Sequence, residues 1–103
     1  MNATSTESAQ GYAADSRNDS VLIYVNGEFF PRNEAKVSVF DSGFVLGDGV
    51  WEGLRLVKGR LLSLQSHLDR LYQGATSIAL DIGMDRASLE KALWLTLERN
   101  GMS

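Results

Sequence analysis

In Val50-Trp51-Glu52-Gly53-Leu54-Arg55-Leu56-Val57 an apolar run is interrupted by a carboxylate, a glycine and a guanidinium. An extended segment that only packs has no need of those three. With the two-residue period of a strand, Val50, Glu52, Leu54 and Leu56 point one way and Trp51, Gly53, Arg55 and Val57 the other. The second set presents an aromatic wall, a gap and a cation. The planar fork of Arg55 suits a carboxylate or phosphate. Gly53 weakens a strand, and so marks close approach by a ligand or another backbone. A plainer reading competes and, on spacing alone, has the better claim: Trp51 as core, Gly53 as a bulge, Arg55 as a solvated edge charge. For Glu52, an ion pair with a nearby arginine is preferred over general acid or base work.

Two further groups carry chemistry. The loop Gly43-x-x-x-Gly47-x-Gly49 precedes a strand, whereas a phosphate-cradling loop opens into a helix, whose free N–H groups and dipole hold the anion. These glycines therefore serve positive φ and a tight entry into the strand, and Asp41 and Asp48 read as turn formers. Farther on, His67 and Arg70 lie three residues apart on one helix face. Arg70 could hold a phosphate; a salt bridge to Asp69 or Glu52 fits equally well. A Ser66-His67-Asp69 triad fails, because near neighbours on a helix do not face each other.

The elements that must position these residues are short. The chain has 103 residues, a formal charge of −3, 44% hydrophobic residues and no cysteine, which suits one small soluble domain. This charge argues against a nucleic-acid surface. Without cysteine there is no disulfide or thiolate zinc site, and a single histidine excludes a multi-histidine metal site. No apolar run nears the roughly 20 residues of a membrane span. Residues 1–20 are small and polar, without the apolar stretch of a secretory signal; they are expected to be a mobile leader, with residues 21–103 as the domain and the cytoplasm as the compartment.

Val21 to Val25 and Glu28 to Pro31 flank Asn26-Gly27, the strongest short hairpin signal. Val37 to Val39 reads as a short extended piece. A strand from about Val50 to Val57, a turn at Lys58-Gly59-Arg60 and a return strand Leu61 to Leu64 make a second hairpin. Leu68, Leu71, Ala75 and Ile78 then recur at helical spacing, with Ser63 or Ser66 as the cap. Gly83 breaks the chain. Asp85 caps a second helix carrying Leu89, Leu93 and Leu97, and Asn100-Gly101 ends it. The expected fold is α+β: two β-hairpins forming an antiparallel sheet, followed by two helices packed on one face. About 80 folded residues bury a modest core and are often marginal alone.

Taken together, "DSGFVLGDGVWEGLRL" and "LLSLQSHLDRLYQGATSIAL" resemble the N-terminal small domain of the class IV aminotransferases, the fold-type IV pyridoxal-phosphate enzymes. The resemblance runs from about Val21 to Gly101. It implies that Arg70, the arginine of the H-x-x-R-L helix, binds the cofactor's phosphate. It also implies that Trp51, Gly53 and Arg55 line the substrate pocket, while Glu52 is structural or pocket-shaping. Ser42 stands where the family often has arginine, Leu46 where an aromatic is common, and Trp51 where phenylalanine or tyrosine is usual. E-G-L-R leans toward branched-chain enzymes and G-D-G-V toward D-amino-acid enzymes.

The family's Schiff-base lysine lies in a second domain downstream, and none of Lys36, Lys58 and Lys91 sits in a matching context. The expectation is therefore a fragment with no catalytic residue of its own. Its parent would be a homodimer moving an amino group between an amino acid or amine and a 2-oxo acid. An aminodeoxychorismate lyase is the rival within the family. A non-catalytic anion-binding or dimerisation module is the rival outside it.

Overall fold

A computed structural model describes Ser16–Ser103. The leader expected over residues 1–20 lies mostly outside the described residues; its last part holds a single 3-10 turn, Ser16–Asn18. The chain divides into two compact units, with the boundary between Ala35 and Lys36.

The first unit holds the hairpin β1 (Leu22–Val25) and β2 (Glu28–Pro31). Asn26 and Gly27 both take positive φ, 50° and 92°, as a two-residue turn matched to strand twist requires. That turn sets the register: Val25 faces Glu28, Tyr24 faces Phe29 and Ile23 faces Phe30. The Tyr24 and Phe29 rings meet edge to face, with centroids 5.4 Å apart. This is a favoured cross-strand aromatic geometry.

In the second unit the glycine loop contains an element its sequence does not announce, the one-turn helix α1 (Ser42–Leu46). The Asp41 carboxylate caps it by accepting from the Gly43 N–H, and Gly47 closes it at φ 75°. Asp41 is thus a helix cap as well as a turn former. Positive φ is needed at Gly47, while Gly43 is there for space: a Cβ on it would come within 2.9 Å of Asp41 Oδ1 and 3.3 Å of the Asp48 carbonyl.

The second hairpin is shorter than expected. Its strands are β3 (Leu56–Val57) and β4 (Arg60–Leu61), paired antiparallel across Lys58-Gly59. One further bond, from the Leu62 N–H to the Arg55 carbonyl at 2.9 Å, extends the pairing. Residues 50–55 are not assigned to a strand, and Leu64 already belongs to the next helix. The α+β class stands, with two hairpins followed by two helices. The hairpins, however, form two separate two-stranded sheets instead of one. The ladder ends where residues 50–54 have no neighbouring strand in their own unit to supply ladder hydrogen bonds. Yet the two-sided alternation of this segment survives. Val50, Glu52, Leu54 and Leu56 are half-buried, and Trp51, Gly53, Arg55 and Val57 are exposed.

Helix α2 (Leu64–Ser77) and helix α3 (Arg86–Arg99) complete the unit. Ser63 occupies the cap position of α2 in a left-handed conformation and makes no side-chain cap bond. Asp85 caps α3 as expected, accepting from the Ser88 N–H at 2.7 Å. Gly83 turns the chain between them at φ 80°.

The core sits on the inner stripe of α2, where Leu68 and Ala75 are each only 2% exposed. Leu68 and Leu71 share an apolar cleft with Leu89, Leu93 and Leu54, which seats α3 and the Val50–Leu56 segment against α2. Gly74 lets that segment approach: a Cβ there would meet Val50 Cγ1 at 3.3 Å. The Tyr72 hydroxyl ties the helices by donating to the Met84 carbonyl. Among the described residues, no helix is long and apolar enough to cross a membrane.

Candidate functional site

The site grows out of the alternation around Glu52. Because Glu52 faces inward while Trp51 and Gly53 face out, its carboxylate meets the first turns of α2. Residues one and two turns along a helix share a face, and His67 and Arg70 both reach the carboxylate. Arg70 donates from Nε to Oε2 and from Nη2 to Oε1, each at 2.7 Å. His67 Nδ1 lies 2.5 Å from the same Oε1. A two-bond fork between arginine and carboxylate is the strong form of this contact.

The electrostatics follow from these bonds. The Arg70 fork, helped by His67, lowers the Glu52 carboxyl from 4.5 to about 2. The carboxylate in turn holds the Arg70 guanidinium above its ordinary value. An ionised carboxylate only accepts hydrogen bonds. His67 therefore donates from Nδ1 to Glu52 Oε1.

Burial divides the cluster. The Glu52 side chain is 11% exposed and that of Arg70 71%. Arg70 Nη1 has no hydrogen-bond partner among the described residues. One open depression of about 500 Å³ is lined by Trp51, Glu52, Gly53 and Arg70. A second, of about 230 Å³, shares Arg70 and is lined otherwise by Ser63, Ser66 and His67.

Three of the four residues singled out in the sequence thus come together: Trp51, Gly53 and Arg70. Arg55 does not line the depression, although it is exposed on the same side of the segment as Trp51. The reading of Trp51 as core is wrong, since the residue is 85% exposed. Gly53 is not a bulge either, since residues 50–55 belong to no strand, and no other backbone closes on it: a Cβ there would meet only the Trp51 ring, at an ordinary 3.8 Å. The ion pair expected for Glu52 is present, and of the two partners weighed for Arg70 it takes Glu52. Asp69 goes instead to Arg86.

Ser63 and Ser66 enter the site unannounced, Ser63 having been weighed only as a cap and Ser66 as a cap or as part of a triad that helix geometry rules out. Positions 63, 66, 67 and 70 follow helical spacing. That polar stripe is the signal that could have marked them.

None of Lys36, Lys58 and Lys91 lines either depression. Large apolar side chains lie exposed nearby in sequence, from Val37, Phe40 and Phe44 through Leu46 to Trp51.

Comparison with known proteins points in one direction. No family model matches the chain. Individual proteins do match. The branched-chain-amino-acid aminotransferase-like protein 1 of Arabidopsis thaliana is 47% identical over 85 residues, 82% of this chain and 15% of that protein. Its companion, branched-chain-amino-acid aminotransferase-like protein 2, is 46% identical over the same share of each. A D-alanine aminotransferase of Staphylococcus haemolyticus is 44% identical over 61 residues, 59% of this chain and 22% of that enzyme. The chain therefore spans only a minor part of the length of the curated relatives it matches. Identity at this level, over segments this long, identifies the family: the chain belongs to the class IV aminotransferases, as their N-terminal domain.

Proposed function

We propose that this chain supplies one wall of a pyridoxal-phosphate aminotransferase site, the phosphate anchor and the adjoining substrate wall. The observation that carries the reading is the grouping of Arg70, Trp51 and Gly53 around one open depression. A mostly exposed guanidinium with donors to spare suits a phosphate dianion. An exposed indole beside a residue without a side chain suits a flat ring or an apolar substrate group. The residues present therefore fit the cofactor's phosphate end. Pyridoxal phosphate, when bound, supplies the electron sink that lets an amino group leave one carbon and join another.

Arg70 binds and orients the phosphate. Trp51 and Gly53 shape the space beside it, and Arg55, exposed on the same side, receives a substrate carboxylate. The reaction also needs a lysine amine to hold the cofactor and move the proton. Neither depression holds one, and in this reading that lysine comes from another part of the whole enzyme.

The substrates are an amino acid or amine and a 2-oxo acid, and the whole enzyme is a cytoplasmic homodimer. Residues 21–103 are its small domain and residues 1–20 a leader. The apolar surface from Val37 to Trp51 is covered by the rest of the enzyme or by its second copy.

The test is titration of the chain with pyridoxal 5′-phosphate, followed by 31P NMR, in wild type and Arg70→Ala. Loss of a charge-assisted contact should weaken binding by roughly tenfold or more. Equal affinity in the two proteins would remove Arg70 from the site.

A further inference from the structure

We propose that Glu52 is a positioning residue for the anion site: it clamps the inner edge of Arg70, leaves the outer N–H groups for a phosphate, and locks the Trp51 wall in register with that cation. The inference rests on Arg70 being the phosphate ligand.

Three observations support it. First, the contact is a two-point fork. Oε2 takes Nε and Oε1 takes Nη2, so the plane of the guanidinium is fixed as well as its position. Second, the clamp is itself held. His67 Nδ1 meets Oε1 as well, so two α2 residues grip one carboxylate that is 11% exposed. Third, Glu52 stands in the chain between Trp51 and Gly53, which line the depression together with Arg70. The bond that orients the cation is therefore also the bond that docks the wall residues onto α2. Neither Trp51, 85% exposed, nor Gly53 has packing of its own to set that register.

Glu52 could affect an anion in two opposing ways. As a negative charge it weakens the attraction of Arg70 for phosphate. As a clamp it strengthens binding, because an arginine already held loses less side-chain freedom when the anion arrives. The exposures decide between them. The outer edge of Arg70 is largely in water, where repulsion between Glu52 and an anion beyond the guanidinium is strongly screened. Ordering of the fork acts directly through the bonds and is not screened in that way. The clamp wins, and removing the negative charge should weaken anion binding.

The test uses the 103-residue chain with inorganic phosphate as the probe. Glu52→Gln, checked for folding by its melting curve, should bind phosphate about tenfold more weakly than wild type. Equal or tighter binding in a folded Glu52→Gln overturns the proposal, since a charge acting alone predicts that outcome.

A second measurement needs no variant. In 1H–15N spectra of the wild type, the Arg70 Nη signals should move on adding phosphate while the Nε–H signal stays, still bound to Glu52. Movement of Nε–H together with Nη means that phosphate displaces the carboxylate, which also overturns the proposal. A wild-type chain in which no Arg70 signal responds to phosphate or to pyridoxal 5′-phosphate sinks the phosphate reading itself, and the positioning role with it. The two failures are thus told apart.

Discussion

Two arginines of the second unit reach carboxylates in opposite ways. Arg86 donates to Asp69 Oδ1, to the Gln65 carbonyl and to Gln65 Oε1. Every acceptor is on α2, so the side chain is a latch between α3 and α2. Arg70 reaches one carboxylate, with Nε and Nη2, and keeps Nη1 without a partner among the described residues. It is also the more exposed of the two, 71% against 39%. The residue type is the same, but one guanidinium commits both terminal nitrogens to its own fold and the other keeps a whole terminal nitrogen to give. That difference, more than the presence of an arginine, is what marks a binding residue.

The most damaging way to break the comparison is to remove what supports both clusters. Leu68 is buried beneath them on α2. Leu68→Ala should cost about 2–5 kcal/mol, a large share of what so small a domain has. Its thermal transition should become broad or disappear, and both arginine contacts should be lost together.

A sharper test separates the two arginines. Arg86→Ala should lower Tm while leaving phosphate affinity within about twofold, because its partners are structural. Arg70→Ala should lower Tm as well, because it strips a mostly buried carboxylate of its fork, but it alone should also bring the loss of affinity described above. The same profile from both variants would show that the two clusters do one job.

The smallest effect is on acid stability. The folded-state value of Glu52, about 2, lies below its ordinary 4.5. Its pairing therefore stabilises the fold fully above about 4.5 and is lost as pH falls from 4.5 through 2. Asp85, lowered by the Ser88 N–H that it accepts, acts with the same sign. Melting temperatures of wild type and Glu52→Gln, followed downward from pH 6, should converge across that window. A constant difference down to pH 2 would show that the Glu52 charge is not what matters.

Local signals in the chain were strong wherever a turn or cap depends on a few adjacent residues. Asn26-Gly27 specified its hairpin, Asp85 its helix, and the alternation from Val50 to Val57 its two faces. The sequence could not show where pairing along residues 50–55 would stop, because a strand is defined by a neighbour supplied from elsewhere. It also hid α1, since five residues with three glycines nearby carry no helical period to read.

The site divides along the same line. By itself the sequence determined the family, the helix face shared by His67 and Arg70, and the side of the segment on which Trp51, Gly53 and Arg55 stand. Each of these follows from residue identity and the period of the backbone. Only the tertiary structure decided that Glu52 pairs with Arg70 and not with some other cation, that Asp69 belongs to Arg86, and that Arg55 stays outside the depression. Those outcomes depend on how closely Val50 can approach Gly74 and on which donor reaches a half-buried carboxylate first in distance. Both are properties of packing between elements, and no spacing along the chain encodes them.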